Sequence, residues 1–427
     1  MNPTPKTLHI VLNGVVEDSR VLKCAWSLGN AGWEVLVCGS TPHAHADSLM
    51  IGYATVTRSP IKIVVKQQTA LRVARKLRYY KRRFEEEFLP EKKPMIPNLR
   101  KGVSEILPQA LAFKPDVIHA HDYTALPIAG AVAAKLREKG LKVALVYDAH
   151  EYVPGVAHLR KPLMKLYSDS ERTYSQNADA ILSVSEGMSD LLVPHLQIST
   201  RPEIVANDPL VEGQQVSHRN LRHDCKIDDD VPLLVYSGAV APQRGIATAL
   251  AGLRKLPGVH LALIANPTNQ TVLNLQSEFS DLSDRFHVQP YVPNSELVSY
   301  LSTADIGLIP IHHRLNHEIS LITKFGEYMQ ALLPIIVSDV KTMAAEVRRL
   351  GNGEVFVAED VDDFVRATES VLANPKKYRS VYTPEILAER SWERQAEHLL
   401  SVYNRIADAA PVAREHRPFI LGEPVRI

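Results

Sequence analysis

Apolar residues in this chain fall into short continuous runs, separated by longer stretches in which they recur every three or four positions. That is the pattern of buried parallel strands alternating with amphipathic helices. LHIVLNG from Leu8, SRVLKCAWSLGNAG from Ser19 and WEVLVCG from Trp33 read as strand, loop, helix and strand, one βαβ unit. Leu22, Ala25, Trp26 and Leu28 give the helix its apolar side, and Gly32 stands where a helix can end. Pro115–Ala120, Val143–Tyr147 and Ala180–Val184 read as further buried strands, with helical stretches such as Ile128–Lys139 between them.

A second series begins after Asn207-Asp208-Pro209 and a polar stretch. Leu233–Ser237, His260–Ala265, Phe286–Gln289, Ile306–Pro310, Pro334–Ser338 and Glu354–Val357 are six strand candidates separated by helices. The chain therefore reads as two successive parallel α/β halves, 1–207 and 208–390. A closing helix and Pro-containing tail, 391–427, are expected to pack back toward the first half. Ala396, Leu399, Leu400 and Tyr403 give that helix, Trp392–Ala407, an apolar side. Open parallel sheets bind ligands outside the carboxyl ends of their strands, so two such sheets facing one another are expected to share a cleft.

At 45% hydrophobic and 23% charged over 427 residues the chain is globular, not disordered. Its 49 basic and 48 acidic residues give a net charge of +1, which excludes a dedicated nucleic-acid coat. The charge is unevenly spread: Ile61 to Val103 holds 13 basic against 4 acidic residues, a net of +9, leaving −8 elsewhere. Seven cations lie between Arg72 and Arg83, beside an apolar stripe of Val73, Leu77, Tyr80, Phe84 and Phe88. This is either a core-facing helix with a solvated basic back or, through residues 72–88, a surface for an anionic membrane or acceptor. Cys24, Cys38 and Cys225 are widely spaced and form no zinc-ligand pattern, and no run of about 20 apolar residues occurs. A cytoplasmic protein is expected, peripheral to the inner face of the plasma membrane if the basic helix docks there.

Three stretches carry candidate chemistry. In LNHEISLITKFGEYMQALLPIIVSD, from Leu315, a polar loop leads into a helix bearing Lys324 and Glu327. Free N–H groups at a helix start and a lysine suit a phosphate, and a carboxylate can accept two bonds from a vicinal diol. The plainer reading is an i,i+3 ion pair. YSGAVAPQRG, Tyr236–Gly245, places Gly238, Arg244 and Gly245 on a loop between strand and helix, suited to a diphosphate or else a simple turn. In the first half Gly14 follows the opening strand, PDVIHAHD ends with His119, His121 and Asp122, and VYDAHEY ends with Asp148, His150 and Glu151. Strand-end histidines can bond a hydroxyl or phosphate oxygen, or simply the backbone. Asp228-Asp229-Asp230 precedes its strand and reads as solvated. No HExxH, GxSxG or P-loop motif is present.

EDSRVLKCAWSLGNAGWEVLV, PDVIHAHD, YDAHEY, ADAILSVSEGM, EIVANDP, YSGAVAPQRG and ISLITKFGEYMQALLPIIVSD stand in this order across residues 8 to 405. Together they resemble glycosyltransferase family 4 and its relatives, the retaining sugar-nucleotide transferases of GT-B fold. The resemblance implies an α/β protein of two facing Rossmann-like domains with an interdomain cleft. The second domain would hold a nucleoside diphosphate sugar and the first a hydroxyl acceptor such as a glycolipid, polysaccharide or natural product. Glu327 would bind the ribose, and Arg244 and Lys324 the diphosphate, on the loop of Gly238 and Gly245. His121 would meet the transferred sugar or its phosphate, and Gly14 would allow close approach of the first loop. Asp122, His150 and Glu151 are acceptor-side candidates. His121, Glu318, Arg244 and Lys324 form the implied catalytic set, with no cofactor and no essential metal. The leaving diphosphate would assist deprotonation of the acceptor, so catalysis rests on positioning and charge stabilisation.

Two positions depart from the family pattern. Ala239 stands where an Arg commonly follows the strand Gly, with Arg244 where a Lys is usual. A glutamate pair separated by seven residues would need Glu at Ile319, whereas Glu318 is one residue off and would reach the donor sugar through a shifted loop. These departures keep open an inactive sugar-nucleotide-binding subunit, and the shared two-domain architecture keeps open an epimerase of the same fold.

Overall fold

The computed structural model describes residues 4–60, 96, 99–157, 159–407, 411–412 and 414–426. The basic stretch 72–88 lies outside the described residues. By contact the chain divides into Met1–Val205 with His398–Ile427, and Ala206–Glu397.

The first unit contains β1 (Lys6–Ile10), β2 (Glu34–Thr41), β3 (Asp47–Ile51), β4 (Ala54–Pro60), β5 (Val117–His121), β6 (Ala144–Ala149), β7 (Ala180–Ser183) and β8 (Glu203–Ile204). From β4 onward the sheet order is β4-β2-β1-β5-β6-β7-β8, all parallel, reversing direction of growth between β1 and β5. Helix Ser19–Asn30 starts where the Asp18 side chain accepts from the Val21 N–H, and the chain leaves it through Gly32 at φ 100°. The antiparallel pair β3–β4 was not expected. It forms because Gly52, at φ 55°, closes a tight turn and the buried ends Asp47 and Arg58 pair at 2.7 Å.

The second unit contains β9 (Leu233–Ser237), β10 (His260–Ile264), β11 (Phe286–Gln289), β12 (Ile306–Ile309), β13 (Ile335–Ser338) and β14 (Gly353–Phe356). Their order, β11-β10-β9-β12-β13-β14, is the doubly wound arrangement, with its switch point between β9 and β12. Both faces are apolar because both are covered. Leu234, Tyr236 and Leu263 pack on one side; Val235, Ala262 and Ile264 join Phe325, Tyr328 and Met329 on the other. Gly307 is required beneath Tyr328, since a Cβ there would lie 2.5 Å from its ring. The Tyr328 hydroxyl accepts from the Ser237 N–H at 3.1 Å, fixing the end of β9.

Helix Trp392–Ala407 carries the chain from the second unit back to the first. Its start is bonded to the second unit through Trp392 N–H to Pro209 O, and through Gln395 to Asp208. Leu399, Val402 and Tyr403 are buried further along. The tail lies on the first unit, with Trp26 Nε1 donating to Arg417 O and Arg417 4.0 Å above Tyr53. It ends in β15 (Val425–Arg426), antiparallel to β3. No helix among the described residues is long and apolar enough to cross a membrane.

Candidate active site

At the switch point of the second unit the chain leaves β9 through Gly238, at φ 114°, makes a 3-10 turn over Pro242–Arg244, and enters helix Ile246–Leu253 through Gly245 at φ 71°. Gly245 is obligatory: a Cβ there would sit 1.7 Å from Pro310 O. Helix Thr323–Gln330 begins beside this loop without a side-chain cap. Between them lies a cavity of about 360 Å³ whose lining includes Gly238, Arg244, Lys324 and Glu327, with Tyr291 and Leu297.

The charge in this cavity is incompletely balanced. Lys324 Nζ rests 4.9 Å over the Tyr236 ring, and a Cβ at Gly238 would fall 2.7 Å from it. Burial, then the charge of Arg244, pushes Lys324 down to about 8, with Glu327 pulling the other way. Neither Arg244 nor Lys324 forms an ion pair among the described residues. Two cations pressed together beside an uncapped helix start are suited to a multivalent anion.

Glu318 does not line this cavity. Its carboxylate takes His313 Nδ1 at 2.5 Å and the Lys341 N–H at 2.9 Å, while His313 Nε2 bonds Asp339 at 2.9 Å. The bond to Glu318 holds the His313 imidazole above its ordinary range. In this conformation Glu318 pins the short helix Leu315–Ile319 to the end of β13. Ile319 is buried, so a glutamate at 319 would bury a charge, which accounts for one departure from the family pattern. Ala239 is exposed, and its carbonyl accepts from the Tyr236 hydroxyl at 2.8 Å.

In the first unit the strand-end groups close on one another. Asp148 is buried and gripped by Arg20, Nη2 to Oδ1 at 2.7 Å and Nε to Oδ2 at 2.8 Å, while Arg20 Nη1 donates to Val205 O at 2.7 Å. Burial pushes Asp148 up, but Arg20 outweighs it and holds the carboxyl well below its usual range. Around Oδ2 stand His119 at 3.4 Å, His121 at 3.4 Å and His150 at 3.1 Å. Behind them His9 Nδ1 meets His121 Nε2 at 2.9 Å, and the Tyr403 hydroxyl reaches His119 Nδ1 at 2.7 Å. Burial pushes His9, His119 and His121 below the ordinary imidazole range. His150 is the exception: burial alone would lower it, but Asp148 raises it above that range.

His121, expected to meet the transferred sugar, is thus fully buried with both ring nitrogens engaged, and reaches no ligand in this conformation. His150 lies at the border of the cluster, half-buried, and Glu151 is exposed. Asp122 starts its helix at φ 69°, with one carboxylate oxygen buried and unpartnered, and burial pushes it up to about 7. Among the described residues no atom enforces glycine at Gly14, where a Cβ would meet only Ser40 O at 3.9 Å; the left-handed residue of that loop is Val15, at φ 65°. Two donor groups could be considered for a cation, His9/His119/His121 and His121/Asp148/His150. In the first, His9 and His121 have both nitrogens engaged and His119 Nδ1 is held by Tyr403, so that of this group only His119 Nε2 is buried without a hydrogen bond; in the second Arg20 already occupies both carboxylate oxygens, its charge opposing a cation.

Two family models match the chain: the glycosyl transferase 4-like domain over residues 19–208, and glycosyl transferases group 1 over 217–383. The chain is a family 4-like glycosyltransferase of GT-B type. It is 26% identical over 319 residues to the alpha-maltose-1-phosphate synthase of Mycolicibacterium smegmatis, covering 68% of this chain and 79% of that protein. Among solved structures, sucrose-phosphate synthase from Thermosynechococcus elongatus superposes with a TM-score of 0.73 at 16% identity, covering 94% of this chain and 99% of that one. HepE from Anabaena in complex with UDP-glucose gives 0.68 at 11% identity, covering 94% and 99%. At these identities the superpositions establish the fold alone.

Within this glycosyltransferase the structure assembles Gly238, Arg244, Lys324 and Glu327 on one cavity and leaves Glu318 outside it. Sequence reasoning missed Arg20, His9 and Tyr403. His9 carried a legible signal: a histidine inside an apolar strand, paired in register with His119 across β1 and β5. Tyr403, hundreds of residues away, carried none.

Proposed function

We propose that this glycosyltransferase moves a sugar from a nucleoside diphosphate sugar to a hydroxyl acceptor with retention of anomeric configuration. The observation that carries the reading is that Arg244 and Lys324, neither in a salt bridge among the described residues, share one cavity with Glu327 at the switch point of a doubly wound sheet. Arg244 and Lys324 hold the diphosphate and stabilise the charge that builds on it as the glycosidic bond breaks. Glu327 accepts from the ribose hydroxyls. Because two side-chain cations offset the phosphate charge, turnover is expected to persist in the presence of a chelator.

Asp122, His150 and Glu151 serve the acceptor side, where His150 is half-buried and Glu151 exposed. Retention follows the family resemblance, the leaving diphosphate taking the acceptor proton on the face it departs from. The names of the M. smegmatis relative and of the HepE complex make UDP-glucose the first donor to test, with glucose 1-phosphate as an acceptor. A lipid-linked acceptor and a membrane surface rest on the basic stretch 72–88; flotation with anionic vesicles at low salt tests them. A cytoplasmic location is in keeping with three buried free thiols.

The test is donor binding by calorimetry, followed by turnover in EDTA with the product's anomeric proton read by NMR. Transfer with an inverted centre, or binding without transfer or hydrolysis of any donor, contradicts the proposal.

A further inference from the structure

The buried network of the first unit has one open end. His119, His121 and Asp148 are fully buried, whereas the His150 side chain keeps 19% of its surface exposed. His150 Nε2 points inward, 3.1 Å from Asp148 Oδ2 and 3.4 Å from His121 Nδ1. Its Nδ1 makes no hydrogen bond among the described residues and is not one of the buried unpartnered atoms, so solvent reaches it. We propose that Arg20 and Asp148 are positioning residues that fix His150 with its Nε2–H inward, so that Nδ1 is the atom it presents to the acceptor, where in the neutral ring it accepts from a hydroxyl. This deepens the acceptor-side reading and rests on it.

The constraint comes from the fixed direction of the carboxylate. Arg20 is held at three points, by both oxygens of Asp148 and by Val205 O, so the Asp148 carboxylate cannot rotate without breaking two charge-assisted bonds. His121 is tied in turn through His9 to Tyr403, and cannot yield its place beside Oδ2. An imidazole set against such an acceptor must point an N–H at it, which decides the tautomer by the bond its inner nitrogen makes. A ring flip would put a C–H against the carboxylate and forfeit the bond.

The groups that act on His150 are Asp148 and Asp122, which favour its charged form, Arg20, which opposes it, and the neutral His121. Asp122 also brings a buried oxygen without a partner.

The experiment is a two-bond ¹H–¹⁵N spectrum of the full chain with labelled histidine, recorded across pH, with His150→Gln to assign the resonance. The expected result is a His150 with Nε2 protonated throughout and Nδ1 titrating above 6.5, while His119 and His121 remain neutral. In Asp148→Asn the His150 titration should fall below 6.5, and kcat/KM with UDP-glucose and glucose 1-phosphate should fall roughly 10- to 100-fold with UDP affinity unchanged. His150→Gln keeps a donor toward Asp148 but removes the outward nitrogen, so it should show the same loss even if Asp148→Asn does not fold. A His150 protonated mainly on Nδ1, or titrating at or below 6.5 in the wild type, overturns the assignment whether or not the enzyme transfers sugar. Wild-type kcat/KM in His150→Gln overturns it as well. The spectrum is read without substrate, so its failure is separate from failure of the transfer reading.

Discussion

The two units place polar residues at the same topological position, the point where strand order reverses, and treat them in opposite ways. In the first, Arg20 and His150 bond Asp148 and the histidines bond one another and Tyr403, with His119 Nε2 alone among their described ring nitrogens buried without a hydrogen bond, and His150 keeps part of its side chain in solvent. In the second, Arg244 and Lys324 share a cavity with no ion pair among the described residues, and Lys324 is driven down to about 8. Groups of the first kind hold a fold together and aim one side chain. Those of the second kind, on the function proposed above, are held in place for a ligand at some cost in stability.

Stability measurements can break that contrast. Asp148→Ala leaves the Arg20 guanidinium buried and unpaired, and should lower unfolding free energy by about 3–5 kcal/mol in urea titration. Gly245→Ala, which forces a Cβ against Pro310 O at a positive φ, should cost about 1–3 kcal/mol or more in the same assay. Lys324→Ala removes a cation crowded by another, so its stability should change by less than about 1 kcal/mol in either direction while transfer falls roughly 10- to 100-fold. A Lys324→Ala protein as unstable as Asp148→Ala would erase the distinction between the two regions.

The pH dependence sharpens it. Lys324 is charged below about 8 and neutral above, and only the charged form attracts a diphosphate. Turnover in the second unit should therefore fall as pH rises from 7 to 9. An anion raises the lysine's affinity for its proton, so nucleotide binding near pH 8.5 should take up protons, seen as a buffer-dependent binding enthalpy in calorimetry. Lys324→Ala should abolish both effects.

Much of this architecture was legible because parallel strands buried on both faces are written as continuous apolar runs. Leu233–Ser237 coincides with its strand, and helix Ile246–Leu253 follows from the Gly245 that precedes it. The β3–β4 pair escaped because its ends are polar, Asp47 and Arg58, and are buried only through each other. The cavity residues Gly238, Arg244, Lys324 and Glu327 could be read because they lie on two loop-to-helix junctions with a local signature. The burial of His121 was not legible, because sequence shows that a histidine ends a strand, not which atoms it spends on His9 and Asp148. Glu318 looked available for a similar reason. Its partners, His313 and the Lys341 amide, are set by where β13 ends.

The central claim is that the cavity beside β9 holds a nucleoside diphosphate by its ribose as well as by its phosphates. Calorimetry of UDP binding to Glu327→Ala against the wild type addresses it most directly, since the substitution leaves both cations in place. The account predicts affinity lowered about 10- to 100-fold by the loss of hydrogen bonds to a charged acceptor. Equal affinity for UDP in the two proteins would contradict it.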